Sequence, residues 1–214
     1  MEQLSPIHRE TVVEQVYGKL RTAILSGDIA QGSRIVELQV AKDLGTSRAP
    51  VREAINRLLQ AGLVETRAHH GPSVITMTHE QAIKLYKLRS AVECAAIEDI
   101  VARPQPGLSA LTDCIDRMRK LARLPRERGF RAFVEADLFF HQTLWSMSDN
   151  EYIRRVAGSI GDLVQMALAL DDARSEDLTV LAENHVLIVD AIARADVNEA
   201  IQVMRRHLTF DKPK

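Results

Sequence analysis

The chain has 214 residues, a formal net charge of −1 and only 4% aromatic residues. That length suits one or two domains. The near-balance of charge gives no overall bias toward nucleic acid, and the low aromatic share with abundant Ala and Leu favours helices over sheets. No apolar run approaches the roughly 20 residues needed to span a bilayer, and the opening MEQLSPIHRE lacks the apolar core of a signal peptide. A cytoplasmic protein without membrane contact is expected. Cys94 and Cys114 have no CxxC neighbour and read as small buried hydrophobes rather than a disulfide.

Residues 1–10 read as an N-terminal arm. A helix is predicted from Thr11 to Ser26, with Val12, Val16, Leu20, Ala23 and Ile24 on one face and Gly27 as its stop. Gly27–Ser33 carries turn residues. A short helix follows over Val36–Asp43, closed by Leu44 and Gly45. Thr46 and Ser47 are possible caps for a third helix, Arg48–Ala61, which ends at Gly62. Two short strands, Leu63–Arg67 and Ser73–Thr76, flank Ala68-His69-His70-Gly71-Pro72. Helix, helix, turn, helix, hairpin is the order of a winged helix-turn-helix, placed at residues 11–76.

A linker is placed at 77–79, and beyond it the pattern is helical only. Segments near 79–102, 107–123, 127–147, 150–170, 176–194 and 196–210 are separated by breakers such as Pro104, Pro106, Gly107, Pro125 and Asn150. The fold class is therefore mostly α. The winged helix-turn-helix is followed by an all-α antiparallel six-helix bundle over residues 80–211.

Two sets of residues carry chemistry. In the first half, a helix-turn-helix enters the major groove by the N-terminal end of its second helix. Here that end is Ser47-Arg48-Ala49-Pro50-Val51-Arg52. Arg48 and Arg52 share a face, and an arginine fork can bond guanine O6 and N7. Ser47 and the free N–H groups at the helix start suit a phosphate. His70 and Gly71 at the wing tip allow close backbone approach to DNA. A solvated basic face is the other reading of these arginines, and their place after helix, turn and cap favours DNA.

In the second half, Asp137, His141, His185 and His207 fall within apolar helical stripes. Asp137 and His141 lie one turn apart on the face of Phe130, Phe133, Val134, Leu144 and Trp145. His185 keeps company with Leu181, Ile188 and Ile192, and His207 with Ala200, Val203 and Met204. Buried polar groups cost several kcal/mol when unpaired, so on the order of 2–7 each is at stake. Histidines hydrogen-bonded within the core are one solution. A divalent metal held by one carboxylate and three imidazoles is the other. Arg89 shares a face with Ala82, Leu85 and Val92. It can clamp an effector carboxylate, or it can pair with Glu93 or a neighbouring helix.

The stretch Ile35-Val36-Glu37 through Leu44-Gly45-Thr46-Ser47-Arg48-Ala49-Pro50-Val51-Arg52-Glu53-Ala54, with Gly62-Leu63-Val64 and Gly71, resembles the winged helix of GntR-family transcription regulators. Leu88-Arg89-Ser90-Ala91-Val92-Glu93, Asp137-Leu138-Phe139-Phe140-His141, Asn150 and Glu183-Asn184-His185 through His207-Leu208 resemble the FCD effector domain of the FadR subgroup. Six bundle helices are similar to its VanR-type branch. The resemblance implies a homodimeric regulator on double-stranded operator DNA, acting as a repressor and controlled by a small carboxylic acid. It also implies a zinc ion, or nickel or another first-row metal, on the four ligands. Some relatives carry a DNA-contacting arginine where this chain has Leu38, so their operator sequence does not transfer. Two alternatives remain at this point: a regulator whose metal is purely structural, with effector bound elsewhere, and a metal-dependent enzyme.

Overall fold

A computed structural model describes residues 10–67, 71–104, 107–170 and 177–209. The chain divides into two compact units, Met1–Thr76 and Met77–Lys214.

The first unit holds α1 (Val12–Leu25), α2 (Glu37–Asp43), α3 (Arg48–Gln60), β1 (Val64–Arg67) and β2 (Gly71–Val74). Thr11 and Glu14 cap α1 reciprocally: the Thr11 hydroxyl accepts from the Glu14 backbone N–H at 3.2 Å, and the Glu14 carboxylate accepts from that of Thr11 at 2.7 Å. Val16, Leu20 and Ile24 of α1 are buried, as are Val51, Ala54, Ile55 and Leu58 of α3, and the two helices pack together. Leu59, next along that helix, is only half-buried.

The hairpin is antiparallel, with Val64 opposite Val74 and Arg67 opposite Gly71. Its second strand therefore begins at Gly71, two residues before the predicted Ser73–Thr76. Pro72 hid it, because proline lacks the N–H of a regular ladder. Gly71 has a φ of 73°, which glycine adopts without steric cost. The turn-rich stretch before α2 also joins this sheet. Ile35 donates to the Pro72 carbonyl at 2.8 Å, Val74 donates to that of Ser33 at 2.9 Å, and Arg34 bridges Ser73. His70 lies outside the described residues.

The second unit holds α4 (His79–Val101), α5 (Ser109–Ala122), α6 (Arg126–Met147), α7 (Glu151–Leu170), α8 (Leu178–Ala193) and α9 (Val197–His207). Starts are set by side-chain caps: Thr78 with Gln81 at α4, Asp177 at α8 and Asp196 at α9. The Asp196 cap and the turn at Leu208 hold α9 within the predicted 196–210. α4 packs against α6, α7, α8 and α9, so it is the central helix. Ile97, Ile100, Phe140, Leu144, Ile188, Ile192 and Met204 fill the space between them. A Cβ on Gly129 would stand 2.6 Å from the Leu121 carbonyl oxygen, so this glycine lets α6 approach the end of α5. Cys94 and Cys114 are free thiols, both buried. No helix among the described residues is long and apolar enough to cross a membrane.

Candidate metal centre and nucleic-acid-binding face

Three helices of the second unit deliver four ligand-type side chains to one point. Asp137 and His141 come from successive turns of α6, His185 from α8 and His207 from the last residue of α9. One ligand atom from each lies within 4.8 Å of all the others. His185 Nε2 stands 3.1 Å from Asp137 Oδ1, and His141 Nε2 stands 3.2 Å from His207 Nε2. His141 and His185 are fully buried, Asp137 is 9% exposed and His207 is half-buried.

The far side of each inner ring fixes which nitrogen faces inward. His185 Nδ1 donates to the Leu181 carbonyl, 2.8 Å away, since a carbonyl can only accept. His141 Nδ1 donates to Glu93 Oε2 at 2.7 Å. With Nδ1 committed in this way, Nε2 of each ring points into the cluster and is the nitrogen available to a ligand. Burial and the nearby Arg89 charge push the His141 pKa down, against the opposing pull of Glu93. Burial and the two neighbouring imidazoles put His207 well below the usual histidine range. Burial alone would raise the Asp137 carboxyl, but the facing His185 ring and the charges on His141 and Arg89 outweigh it and hold the group far below the ordinary carboxylate range. Neutral imidazoles beside an ionised carboxylate are the protonation states that ligate metal.

Hydrogen bonding within the core leaves one nitrogen of this arrangement without a hydrogen bond. His185 Nε2 is buried and makes no hydrogen bond despite its short approach to Asp137. A proton on Nε2, or a cation between the two atoms, would make that approach favourable. One oxygen and three imidazole nitrogens form a donor set suited to zinc and its first-row neighbours. These four residues fit a metal ion.

Glu93 was read in the sequence only as a possible partner of Arg89. It is fully buried on α4; its second oxygen accepts from Arg89 Nε at 2.9 Å while the first orients His141. Burial raises this carboxyl, and the His141 and Arg89 charges overcome that and lower it. The signal was available, because Arg89 and Glu93 are one turn apart. Its role awaited knowledge that α4 crosses α6 at His141. Groups that orient a ligating histidine typically matter about 10–100-fold for metal affinity. Glu93→Gln should weaken zinc uptake by about that factor, read by competition with a fluorescent chelator. Glu93→Ala should also melt earlier, because an unpaired buried charge costs on the order of 3–5 kcal/mol. Wild-type affinity in Glu93→Gln would show that the histidine is held without it.

Arg89 is 1% exposed and does pair with Glu93, but only through part of its fork. Its Nη2 makes no hydrogen bond and lies 3.9 Å from Asp137 Oδ2. Arg89 also lines a pocket with Asp137 and His207. The cluster thus faces a chamber with a guanidinium beside it.

In the first unit, Ser47 stands at the N-cap of α3 with extended backbone and makes no capping bond through its side chain. Ser47, Arg48, Ala49 and Arg52 are exposed and Pro50 is half-buried. Pro50 in the first turn costs no helical hydrogen bond. Both arginines turn to one carboxylate: Arg52 bonds Glu37 through Nε at 3.2 Å and Nη2 at 3.0 Å, and Arg48 Nη2 joins at 3.2 Å. Glu37 comes from α2, so the pairing ties the two helices at the reading end. The hydrogen bond from Arg52 is the main reason the Glu37 carboxyl is lowered. Arg34, also unremarked in the sequence, brings its guanidinium to about 3.8 Å from where a Gly71 side chain would begin, which adds a cation at the wing. Leu38 is 65% exposed.

A winged helix with an arginine-bearing helix start and a helical bundle enclosing a polar cluster define a two-part DNA-binding regulator. Residues 12–74 match the bacterial regulatory proteins of the gntR family, and residues 84–210 match the FCD domain. The chain belongs to the GntR family of transcription regulators, in the group that carries an FCD domain. It is 29% identical over 208 residues to a "Probable D-xylose utilization operon transcriptional repressor" of Paenarthrobacter nicotinovorans, covering 96% of this chain and 89% of that one. It is 26% identical to the gluconate operon transcriptional repressor of Bacillus subtilis, covering 90% and 79%. A crystal structure of a GntR-type regulator from Rhodococcus sp. RHA1 superposes with a TM-score of 0.78 at 26% identity, covering 92% and 93%. These are regulators rather than enzymes, so the metalloenzyme alternative is set aside.

Proposed function

We propose that this protein is a cytoplasmic, homodimeric repressor whose operator affinity is set by a small carboxylic acid bound beside a divalent metal ion in the bundle. The observation that carries the reading is the convergence of Asp137, His141, His185 and His207, with His185 Nε2 buried and without a hydrogen bond. Zinc suits this donor set best, with nickel or another first-row ion as the substitute. When bound, such an ion supplies coordination positions open to a carboxylate. Arg89 then offers its free Nη2 to a second oxygen, while Glu93 keeps the guanidinium in place. Burial strengthens that contact, since charges attract more strongly away from water.

Repression is supported by the relatives' names, both of which are operon repressors. At the DNA, Arg48 and Arg52 read bases, while Ser47 and the backbone N–H groups of Ala49 and Gly71 meet phosphates. His70 is proposed to reach the groove beside Gly71. A twofold dimer reads a near-palindromic site. The acid changes operator affinity only if its own affinity differs between the DNA-binding and released forms.

Cobalt(II) loading tests the acid site. Its visible bands should shift on titration with a binding acid, with the same midpoint as the change in operator affinity. An operator response without any spectral change would make the metal structural and place the effector elsewhere.

A further inference from the structure

The chamber beside the cluster is polar at its two ends and apolar between them. Arg89, Asp137, His207 and Tyr86 gather at one end and Arg126 stands at the other, while the described lining between them is apolar, with Phe130, Phe133, Val134 and four leucines. The chamber follows α6. Asp137, Val134, Phe130 and Arg126 succeed one another along the helix, so Arg126 stands about 16 Å from Asp137 at 1.5 Å per residue. Arg126 lies over the Phe130 ring, 4.5 Å from its centre, and so closes the far end with an aromatic face beneath a cation. Among the described residues lining the space there is no Ser, Thr, Asn or Gln.

From this lining we infer that the effector is a carboxylic acid with an apolar body, aromatic or branched aliphatic, and not a polyhydroxylated sugar acid. The inference rests on the proposed acid site and specifies what fills the rest of it. A carboxylate meets Arg89 and the cluster. A ring or branched chain then meets Phe130, Phe133 and the leucines, and each apolar surface leaves water. A sugar acid would carry several hydroxyls into the same walls, where few donors or acceptors await them. Hydroxyls buried without partners bind poorly, and sites discriminate strongly on this ground.

The test uses the full-length, zinc-loaded protein and four probes: acetate, gluconate, 3-phenylpropionate and the matching alcohol, 3-phenylpropanol. Calorimetric titration should show 3-phenylpropionate binding at least about tenfold more tightly than acetate, consistent with burial of its apolar carbons. Gluconate should bind no better than acetate. Leu168→Gln, at a half-buried position on α7, should bring 3-phenylpropionate toward the affinity of acetate. Val134→Thr on α6 provides an independent second change in the same wall and should act in the same direction. Gluconate binding more tightly than 3-phenylpropionate, and losing affinity in His141→Ala, would overturn the inference while leaving the acid site intact. The alcohol binding as tightly as the acid, or His141→Ala binding the acids as wild type does, would overturn the acid site itself. Failure of every probe to bind at millimolar concentration would overturn both.

Discussion

Zinc analysis of the protein purified without chelator should find about one ion per chain, and His185→Ala should lose most of it. This is the largest effect expected in the bundle. The His185 ring is fully buried, its Nδ1 is committed to the Leu181 carbonyl, and its Nε2 faces the cluster without a hydrogen bond among the described residues. Truncation removes this nitrogen from the cluster. Stability supplies a second readout. An ion that binds the folded state alone, present at 100 times its dissociation constant, adds about 2.7 kcal/mol. Chelation should therefore lower the melting temperature of the wild type by several degrees, at about 2–4 °C per kcal/mol for a chain of this size. The same chelation should barely move His185→Ala. Comparing each protein with and without chelator separates loss of metal from the cavity that the alanine leaves. Wild type that neither carries nor takes up an ion would remove the site.

Arg52→Ala and Arg48→Ala should each weaken binding to an operator selected from random duplexes, by about 1–3 kcal/mol for each base-reading fork lost. Arg52 is the better placed of the two. Its bidentate bond to Glu37 uses Nε and one N–H of Nη2, which leaves the Nη1 end directed away from the carboxylate. Arg52→Lys should not restore binding, because an ammonium cannot form the planar fork. A base-reading arginine should relax specificity at its own position. A phosphate-contacting cation should instead lower affinity uniformly and reduce the salt slope by about one. Anisotropy titrations at several salt concentrations distinguish the two. Unchanged operator affinity in both alanine variants would place recognition elsewhere.

The chain revealed what depends on local pattern. The 3.6-residue stripes and the breakers between them located all six bundle helices, because each buries one face against its neighbours, whereas the caps at Thr11, Thr78 and Asp196 were not read as such. The ligand set was legible for the same reason: a histidine in an apolar stripe faces inward, and three such stripes in one bundle converge. Partners supplied by other helices were less legible. Glu93 and Glu37 each look like ordinary helical acids, and their roles follow from which helix lies across from them. The contribution of Ser33–Ile35 to the wing was hidden by turn-forming residues, since its hydrogen bonds run to Pro72 and Val74 rather than along its own segment. Arg89 was read with two possible partners, and it reaches toward both. Its Nε serves Glu93, and the residue also lines the chamber.

The account turns on an acid acting through the metal ligands, and operator affinity in His141→Ala measures that most directly. Metal-loaded wild type and His141→Ala are titrated with 3-phenylpropionate and other acids while operator binding is followed by anisotropy. His141 lies in the bundle and not in the winged helix, so operator binding without acid reports whether the DNA-binding unit is intact. In wild type the acid should shift operator affinity by about 1–3 kcal/mol, and operator DNA should shift acid affinity by the same factor. In His141→Ala that shift should shrink or vanish. An acid that shifts operator affinity equally in both proteins would contradict the account and make the metal a structural element alone.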